Sequence, residues 1–378
     1  MEHPMTDTTM EKMLIQRAIR NRQPINGTLE LLPLCNMNCN MCYVRLSRGE
    51  MERQGRLRTV DEWLEMARQM QRAGVLFLLL TGGEPLLYPD FRKLYLGLKE
   101  LGMILTINTN GTLLDEAWAA FFGKHPPRRI NVTLYGADEK AYRELCHYPG
   151  GFDKTIHGIR LLRQCGVDVK LNGSVTRRNM GDTQAIYAIT RELDLPIHMD
   201  TYMLPGLHER DKPEHLQSRL NPEDAAEAYV QTLQAEYTPE AFRQFAQQWI
   251  WLAEQAPAGF TDHMVCQAGK SSFAINWQGE MRPCVSLPGP SVPVFETGFD
   301  AAWKTIVEET DKITLSPKCS VCALRQVCQT CAACALLEGG FYDAVPDYMC
   351  RYTQHTLDCL KAELEAKGAF NKAPAPDN

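Results

Sequence analysis

The stretch CNMNCNMCY at residues 35–43 decides the fold, and it directly follows the apolar run LELLPL at residues 29–34. Its three cysteines, Cys35, Cys39 and Cys42, have the spacing CX3CX2C. Three thiolates on one short loop can hold three irons of a [4Fe-4S] cube and leave the fourth iron open to an outside ligand. A structural zinc site is the alternative, because cysteine triplets also bind zinc.

Composition excludes several classes of protein. The chain has 378 residues, 44% of them hydrophobic, enough for one large α/β domain and a smaller module. Its 14 cysteines do not indicate a secreted disulfide scaffold, because such scaffolds are short and residues 1–23 lack an apolar signal segment. We therefore expect a cytoplasmic protein. No apolar run is long enough to cross a membrane, and a net charge of -6 makes nucleic acid an unlikely partner.

Short apolar runs alternate with amphipathic stretches along the first half of the chain, which predicts β/α units around a parallel sheet. Strands are predicted at 27–33, 75–81, 104–109, 130–135, 167–175 and 195–203. Helices are predicted at 60–72, 91–101, 114–122, 139–145, 152–165 and 183–193. Thr59 and Glu62 form a capping box before the first of these helices. Two or three further helices are expected over 215–256.

Polar motifs follow several of the predicted strands. In parallel β/α sheets the carboxyl ends of the strands build the active site, and the cysteine loop follows the first strand. Thr81-Gly82-Gly83-Glu84-Pro85 follows the second, and its glycines let the backbone approach a ligand. Thr109 and Asn110 end the third strand, and Thr133 lies in the fourth. These residues are expected to meet at one edge of the sheet.

With these motifs the chain resembles the radical SAM superfamily, in which the open iron of the cluster binds S-adenosylmethionine (SAM). The resemblance implies a partial (β/α)6 barrel, an α/β fold, and a [4Fe-4S] cluster on Cys35, Cys39 and Cys42. It implies reductive cleavage of SAM to a 5′-deoxyadenosyl radical, with Glu84 facing the SAM ammonium group. The expected cofactor contacts are Tyr43, Gly82, Gly83, Glu84, Pro85, Thr109, Asn110, Thr133, Ser174 and Asn179. For Ser174 and Asn179 a turn or capping role is the alternative.

Cysteines return near the carboxyl end of the chain. Cys266 and Cys284 flank a predicted hairpin at 274–282. A dense run follows, made of Cys319, Cys322, Cys328, Cys331, Cys334 and Cys350. Its regular CX2CX5C start indicates Fe–S ligation, with zinc as the alternative.

This region resembles the SPASM domain, which in its full form holds two auxiliary Fe–S clusters. The resemblance assigns Cys319, Cys322, Cys328 and Cys350 to the second cluster. The first would take Cys266 and Cys284, but the family's single middle cysteine would fall on Ala332, between Cys331 and Cys334. In one interpretation, which we favour, Cys331 and Cys334 both bind the first cluster and bring its protein ligands to four. In the other, the first cluster keeps an open iron.

The predicted division is an extension at 1–26, a barrel at 27–210, a helical bridge at 211–259, a SPASM domain at 260–360, and a largely disordered tail at 361–378. Cys146 is expected on the reactive face, where it could donate a hydrogen atom or bind substrate. The alternative is an inert packing role.

The resemblance favours oxidative modification of a peptide or protein, such as a thioether or carbon–carbon crosslink in ribosomal peptide maturation. A flavodoxin- or ferredoxin-type donor would supply electrons, and a separate protein could recognise a leader peptide. A radical SAM dehydrogenase for sugars or aminocyclitols is an alternative. Formylglycine formation is discounted because Val285 stands where sulfatase maturases carry an aspartate base. A non-enzymatic Fe–S electron carrier is the third class, against which the open cysteine loop argues.

Overall fold

The computed structural model describes residues 9–206, 213–255 and 261–366. One mixed sheet organises these residues, in the strand order β6-β5-β4-β3-β2-β1-β7-β8-β9. The strands are β1 (Asn26–Glu30), β2 (Phe77–Thr81), β3 (Ile104–Thr109), β4 (Arg129–Thr133), β5 (Val169–Ser174), β6 (Ile197–Asp200), β7 (Ser272–Ile275), β8 (Glu280–Arg282) and β9 (Val292–Pro293). Strands β1 to β7 pair in parallel, whereas β8 and β9 join as antiparallel strands.

Helices cover the outer face of the sheet and build the carboxyl-terminal part. They are α1 (Thr9–Asn21), α2 (Arg48–Gln54), α3 (Val60–Ala73), α4 (Phe91–Glu100), α5 (Glu116–Lys124), α6 (Glu139–Leu145), α7 (Gly151–Gln164), α8 (Thr183–Glu192), α9 (Pro213–Ser218), α10 (Pro222–Glu236), α11 (Pro239–Glu254), α12 (Val294–Thr297), α13 (Phe299–Thr310), α14 (Pro317–Ser320), α15 (Ala332–Gly339) and α16 (Asp347–Ala366). Among the described residues, no helix is long and apolar enough to cross a membrane.

The two faces of the parallel strands differ in chemistry, and β3 shows how. Leu105 and Ile107 are buried on the face that the helices cover, and they belong to the main hydrophobic core. Thr106 and Asn108 alternate with them and point to the opposite face. Because the sheet curves around that second face, its polar side chains line the interior of a partial barrel.

All six predicted barrel strands and their helices are present, and α6 spans the predicted 139–145. The capping box before α3 is also confirmed, with the Glu62 amide bonded to Thr59 Oγ1 at 3.2 Å. Helices α1 and α2 were not predicted. The predicted hairpin exists as β7 and β8, but β7 also pairs with β1, placing Ala274 opposite Thr28. The barrel sheet therefore continues into the cysteine-rich region.

Two of the bridge helices, α10 and α11, pack against α16 around a second hydrophobic core. Pro222 and Pro239 begin these helices, as expected of proline in a first turn. Residues 361–366 of the predicted tail form the end of α16, whereas the expectation for 367–378 lies outside the described residues.

Candidate active site

The cysteine loop lies between β1 and α2, and three N–H groups point at its sulfur atoms. The backbone N–H of Met37 donates to Cys35 Sγ at 3.4 Å, and that of Arg45 donates to Cys42 Sγ at 3.3 Å. The side-chain amide of Asn110 also donates to Cys35 Sγ, at 3.6 Å. Such donors stabilise thiolates, which are the form of cysteine that binds iron.

The thiols of the loop influence one another. Burial raises the pKa of the Cys35 thiol to about 12, and nearby negative charge, including that of Cys39 and Cys42, raises it further. Thiolates crowded together in this way need a positive partner, which a cluster of iron ions supplies. Their chemistry and placement therefore fit a [4Fe-4S] cluster.

Cys146 lies behind this loop. It is fully buried, and a hydrogen bond from Cys39 to Cys146 is the main reason that the pKa of the Cys39 thiol is raised. The backbone carbonyls of Leu145 and Cys146 accept hydrogen bonds from Asn40 and Asn38, at 2.9 and 3.0 Å. The end of α6 thus holds the cysteine loop, and this position favours the inert, packing role for Cys146.

One cavity of about 630 Å³ opens at the carboxyl ends of the strands, and the cysteine loop forms part of its wall. Seven of the ten expected cofactor contacts line it: Tyr43, Gly82, Gly83, Thr109, Asn110, Thr133 and Ser174. The volume is typical of a small-molecule site. The structure therefore brings the thiolates and the polar strand ends together around one space, as the motifs predict.

The two glycines after β2 let the cysteine loop approach the sheet. The Gly83 N–H donates to the carbonyl of Leu32 at 2.7 Å. The backbone of Gly82 has a φ of 142°, an angle that residues other than glycine rarely adopt. A Cβ atom at Gly83 would overlap the carbonyl oxygen of Leu34, which directly precedes Cys35. The glycine pair therefore sets the distance between the loop and the cavity floor.

We expect Gly83→Ala to weaken SAM binding about tenfold or more, because relieving the overlap with Leu34 must displace backbone that carries Cys35. Gly181→Ala is the matched control, since a Cβ there would meet no atom within 4 Å. Equilibrium dialysis of SAM against both variants measures the effect. Equal affinity in the two variants would show that the close approach has no role in the site.

Glu84 differs from its expected role. Its carboxylate is fully buried and accepts hydrogen bonds from Thr109 Oγ1 at 2.8 Å, from the Asn110 N–H at 2.9 Å and from the Leu86 N–H at 3.1 Å. Burial raises the pKa of this carboxyl to about 7, although the three donors lower it. The carboxylate joins the end of β2 to the end of β3, and it is the neighbouring glycines that border the cavity.

Pro85 and Asn179 also lie away from the cavity. Pro85 is buried and begins a single helical turn after Glu84. Asn179 is buried, and its side-chain amide donates to the carbonyls of Tyr135 and Ser174 at 2.8 and 3.0 Å. It thereby ties the ends of β4 and β5 together, which is the turn-stabilising alternative for this residue.

The late cysteines form two groups in space. Burial raises the pKa of the Cys350 thiol to about 11, and like charge from Cys319, Cys322 and Cys328 adds to the rise. These four residues are the expected ligands of the second auxiliary cluster. Among the described residues, no three His, Cys, Asp or Glu side chains are close enough to hold a single metal ion.

The second group contains the expected ligands of the first auxiliary cluster. Burial raises the pKa of the Cys284 thiol to about 11, and like charge from Cys266 and Cys331 adds to it. The sulfur of Cys331 caps α15 by accepting the Cys334 N–H at 3.4 Å. Cys331 and Cys334 both line the cavity. The cavity therefore extends from the first cysteine loop to this second group.

Sequence reasoning missed several residues of the cavity wall: Tyr135, Asp200, Tyr202, Ser286 and Gln329. Asp200 is the last residue of β6 and Tyr202 follows it closely, so the rule that strand ends build the site could have found them. Gln329 and Ser286 belong to the cysteine-rich region, and only the folded chain brings them there. Val285 also lines the cavity, without a carboxylate.

Comparisons with known proteins agree with this site. Residues 29–187 match the family model described as the Radical SAM superfamily. The AdoMet-dependent heme synthase of Methanosarcina barkeri (strain Fusaro / DSM 804) is 25% identical over 331 residues, which are 83% of this chain and 92% of that protein.

Two solved structures share the fold over most of the chain. The native anSMEcpe structure with bound AdoMet and Cp18Cys peptide has a TM-score of 0.66 at 17% identity, covering 91% of this chain and 98% of that chain. Streptococcus suis SuiB bound to its precursor peptide SuiA has a TM-score of 0.65 at 17% identity, covering 90% and 80%. The likeness thus includes the cysteine-rich region.

The fold and site define a SAM-dependent Fe–S enzyme, and residues 29–187 form a radical SAM domain. Members of this superfamily bind a [4Fe-4S] cluster and SAM, and the expected fold class and cofactors are confirmed. The assignment of individual ligands remains a prediction.

Proposed function

We propose that this enzyme oxidatively modifies a side chain of a peptide or protein, by forming a thioether or a carbon–carbon crosslink. One observation carries the proposal: a single cavity borders both the first cysteine loop and the cysteines Cys331 and Cys334. A substrate held in it would lie between the site of hydrogen abstraction and a second group of thiolates. Such thiolates hold electron-accepting clusters, and an acceptor at that place suits a net oxidation.

Cys35, Cys39 and Cys42 would hold the cluster that binds SAM, and these groups would supply the oxidant for removal of one hydrogen atom from the substrate. The residues that line the cavity would bind and orient SAM and the substrate. Thr133 and Ser174 offer hydroxyls from the ends of β4 and β5, and the glycine pair offers backbone groups. Tyr135 and Tyr202 add aromatic surface to the wall. Positioning of this kind is the protein's share in cofactor chemistry.

The charge of the cavity wall favours a peptide over a polyanion. Among the described residues that line the cavity, Asp200 is the one Asp or Glu, and there is no Lys or Arg. A substrate with several carboxylates would meet negative charge and thiolates without a cationic partner, which is costly in a partly buried site. The uncharged backbone of a peptide does not meet this penalty.

A tetrapyrrole side chain is the second candidate substrate. The similarity to the AdoMet-dependent heme synthase of M. barkeri, which extends over 92% of that protein, favours it. Oxidation of a carboxylated side chain would use the same cavity and the same kind of electron acceptor. The absence of Lys and Arg from the described cavity wall argues against it.

The experiment compares the two substrates under the same anaerobic conditions. Reconstituted, reduced enzyme and SAM are incubated either with a short synthetic peptide rich in Cys, Thr and aromatic residues or with an iron-loaded coproporphyrin. We expect the peptide to lose two hydrogen atoms in step with 5′-deoxyadenosine formation. Decarboxylation of the porphyrin, with an unchanged peptide, would support the second candidate instead.

The partners follow from this proposal. A flavodoxin- or ferredoxin-type protein would reduce the first cluster. A separate protein would recognise a leader peptide if the substrate carries one. Formylglycine formation is not favoured, because Val285 lies in the cavity wall without a base.

A further inference from the structure

A hydrogen-bonded network joins the cavity to the second group of cysteines. The hydroxyl oxygen of Tyr202 lies 3.1 Å from Cys334 Sγ and 3.0 Å from Glu338 Oε1. Arg219 pairs with Glu338 and stacks its guanidinium on the ring of Tyr348, 3.8 Å from the ring centre. The network therefore connects the end of β6, the bridge, α15 and α16.

Tyr202 has one hydroxyl proton and two possible acceptors. Glu338 is already neutralised, because Arg219 contacts both of its carboxylate oxygens. Both side chains of this ion pair are only 11% exposed, so solvent does not compete for them. The separation of 3.0 Å from Glu338 Oε1 is long for a hydroxyl that donates to a carboxylate, which normally lies at about 2.5–2.7 Å. The separation of 3.1 Å from Cys334 Sγ is close for a hydrogen bond to the larger sulfur atom, so the phenol proton is better placed on the sulfur.

Tyr202 also borders the substrate cavity. Tyr202 thus borders the cavity while its hydroxyl contacts the sulfur of Cys334. A hydrogen bond to a cluster sulfur withdraws electron density and raises the reduction potential of the cluster. The phenol is positioned to act on both the cavity and the ligand.

We propose that Tyr202 is a positioning residue for the first auxiliary cluster: its hydroxyl donates to the ligand sulfur of Cys334 and holds that cluster at a potential high enough to accept an electron. Glu338 and Arg219 fix the phenol in this orientation. The inference deepens the proposed oxidative function and rests on it for its purpose. Its test needs no substrate, so it can fail while the proposed function stands.

The test is the midpoint potential of the first auxiliary cluster in Tyr202→Phe. It uses the full chain with Cys35, Cys39 and Cys42 replaced by alanine, so that only auxiliary clusters remain. Cys331→Ala in this background identifies the signal of the first one by EPR. Losing the hydrogen bond should lower the equilibrium constant for one-electron reduction about tenfold, a fall in potential of about 59 mV.

Tyr348→Phe is the matched control, because it removes a hydroxyl from the same network. That hydroxyl donates to the carbonyl of Leu220 at 2.8 Å and not to a cysteine. We expect the same iron content as the parent in both variants and a shifted potential only in Tyr202→Phe. An unshifted potential in Tyr202→Phe, or the same shift in both variants, overturns the inference.

Cys334→Ala supplies a second, independent measurement. If Cys334 is a ligand, the variant changes the Mössbauer and EPR spectra of the first auxiliary cluster and makes it labile. Adding Tyr202→Phe to Cys334→Ala should then cause no further shift. Unchanged spectra would mean that Cys334 is no ligand, and the proposed role of Tyr202 would be refuted with it.

Discussion

Replacing Cys35, Cys39 and Cys42 together by alanine is expected to abolish 5′-deoxyadenosine formation and to remove roughly four irons per chain, because one cube holds four irons. The structure indicates that this cluster can be lost without loss of the auxiliary clusters. The loop lies between β1 and α2, whereas the late cysteines lie near one another in two other groups. The auxiliary clusters should therefore keep their iron.

Iron analysis and chromatography of the reaction with SAM and dithionite measure both effects. Cys165→Ala is the matched control, because Cys165 is exposed at the end of α7. It should keep full iron content and activity. Continued 5′-deoxyadenosine formation in the triple variant would contradict the assignment of the SAM site, and loss of all iron would mean that the clusters do not assemble independently.

Glu84→Gln is expected to destabilise the fold and, as a consequence, to weaken SAM binding. Three donors converge on the two carboxylate oxygens of Glu84. A glutamine amide keeps one oxygen and turns its own N–H groups toward a donor, so at least one buried N–H or O–H loses its acceptor. The cost is about 1–3 kcal/mol. Displacement of Asn110 would then disturb its hydrogen bond to Cys35 Sγ.

The measurement is the anaerobic thermal midpoint of the reconstituted variant beside its SAM dissociation constant. Glu52→Gln, an exposed substitution on α2, is the matched control and should change neither. A weaker SAM complex with an unchanged midpoint would instead support the sequence-based expectation that this carboxylate contacts the SAM ammonium group.

Local patterns predicted most of the barrel because the forces that form its elements are local. The alternation of β3 and the capping box at Thr59 depend on neighbours within a few residues. The cavity-lining positions Gly82, Thr109 and Thr133 were predictable for a related reason, since parallel strand ends meet at one edge. Helix α1 was missed although its sequence has helical periodicity, with Met10, Leu14 and Ala18 spaced four residues apart.

The orientation of single side chains was not predictable in this way. Glu84 follows two glycines that line the cavity, yet its carboxylate lies in the core. It does so because Thr109 and Asn110, at the end of the next strand, donate hydrogen bonds to it there. Asn179 likewise turns from the cavity toward two strand-end carbonyls. Each choice depends on partners that are distant in sequence, and buried polar groups must find such partners.

By itself, the sequence determined the β/α order, the cysteine loop and the presence of a second cysteine-rich region, because residue type and spacing carry that information. Only the tertiary structure decided that β7 extends the barrel sheet beside β1 and that Cys331, Cys334 and Tyr202 share one cavity with Cys35. These contacts join segments hundreds of residues apart along the chain, and packing and hydrogen bonding between whole elements, rather than local propensity, bring them together.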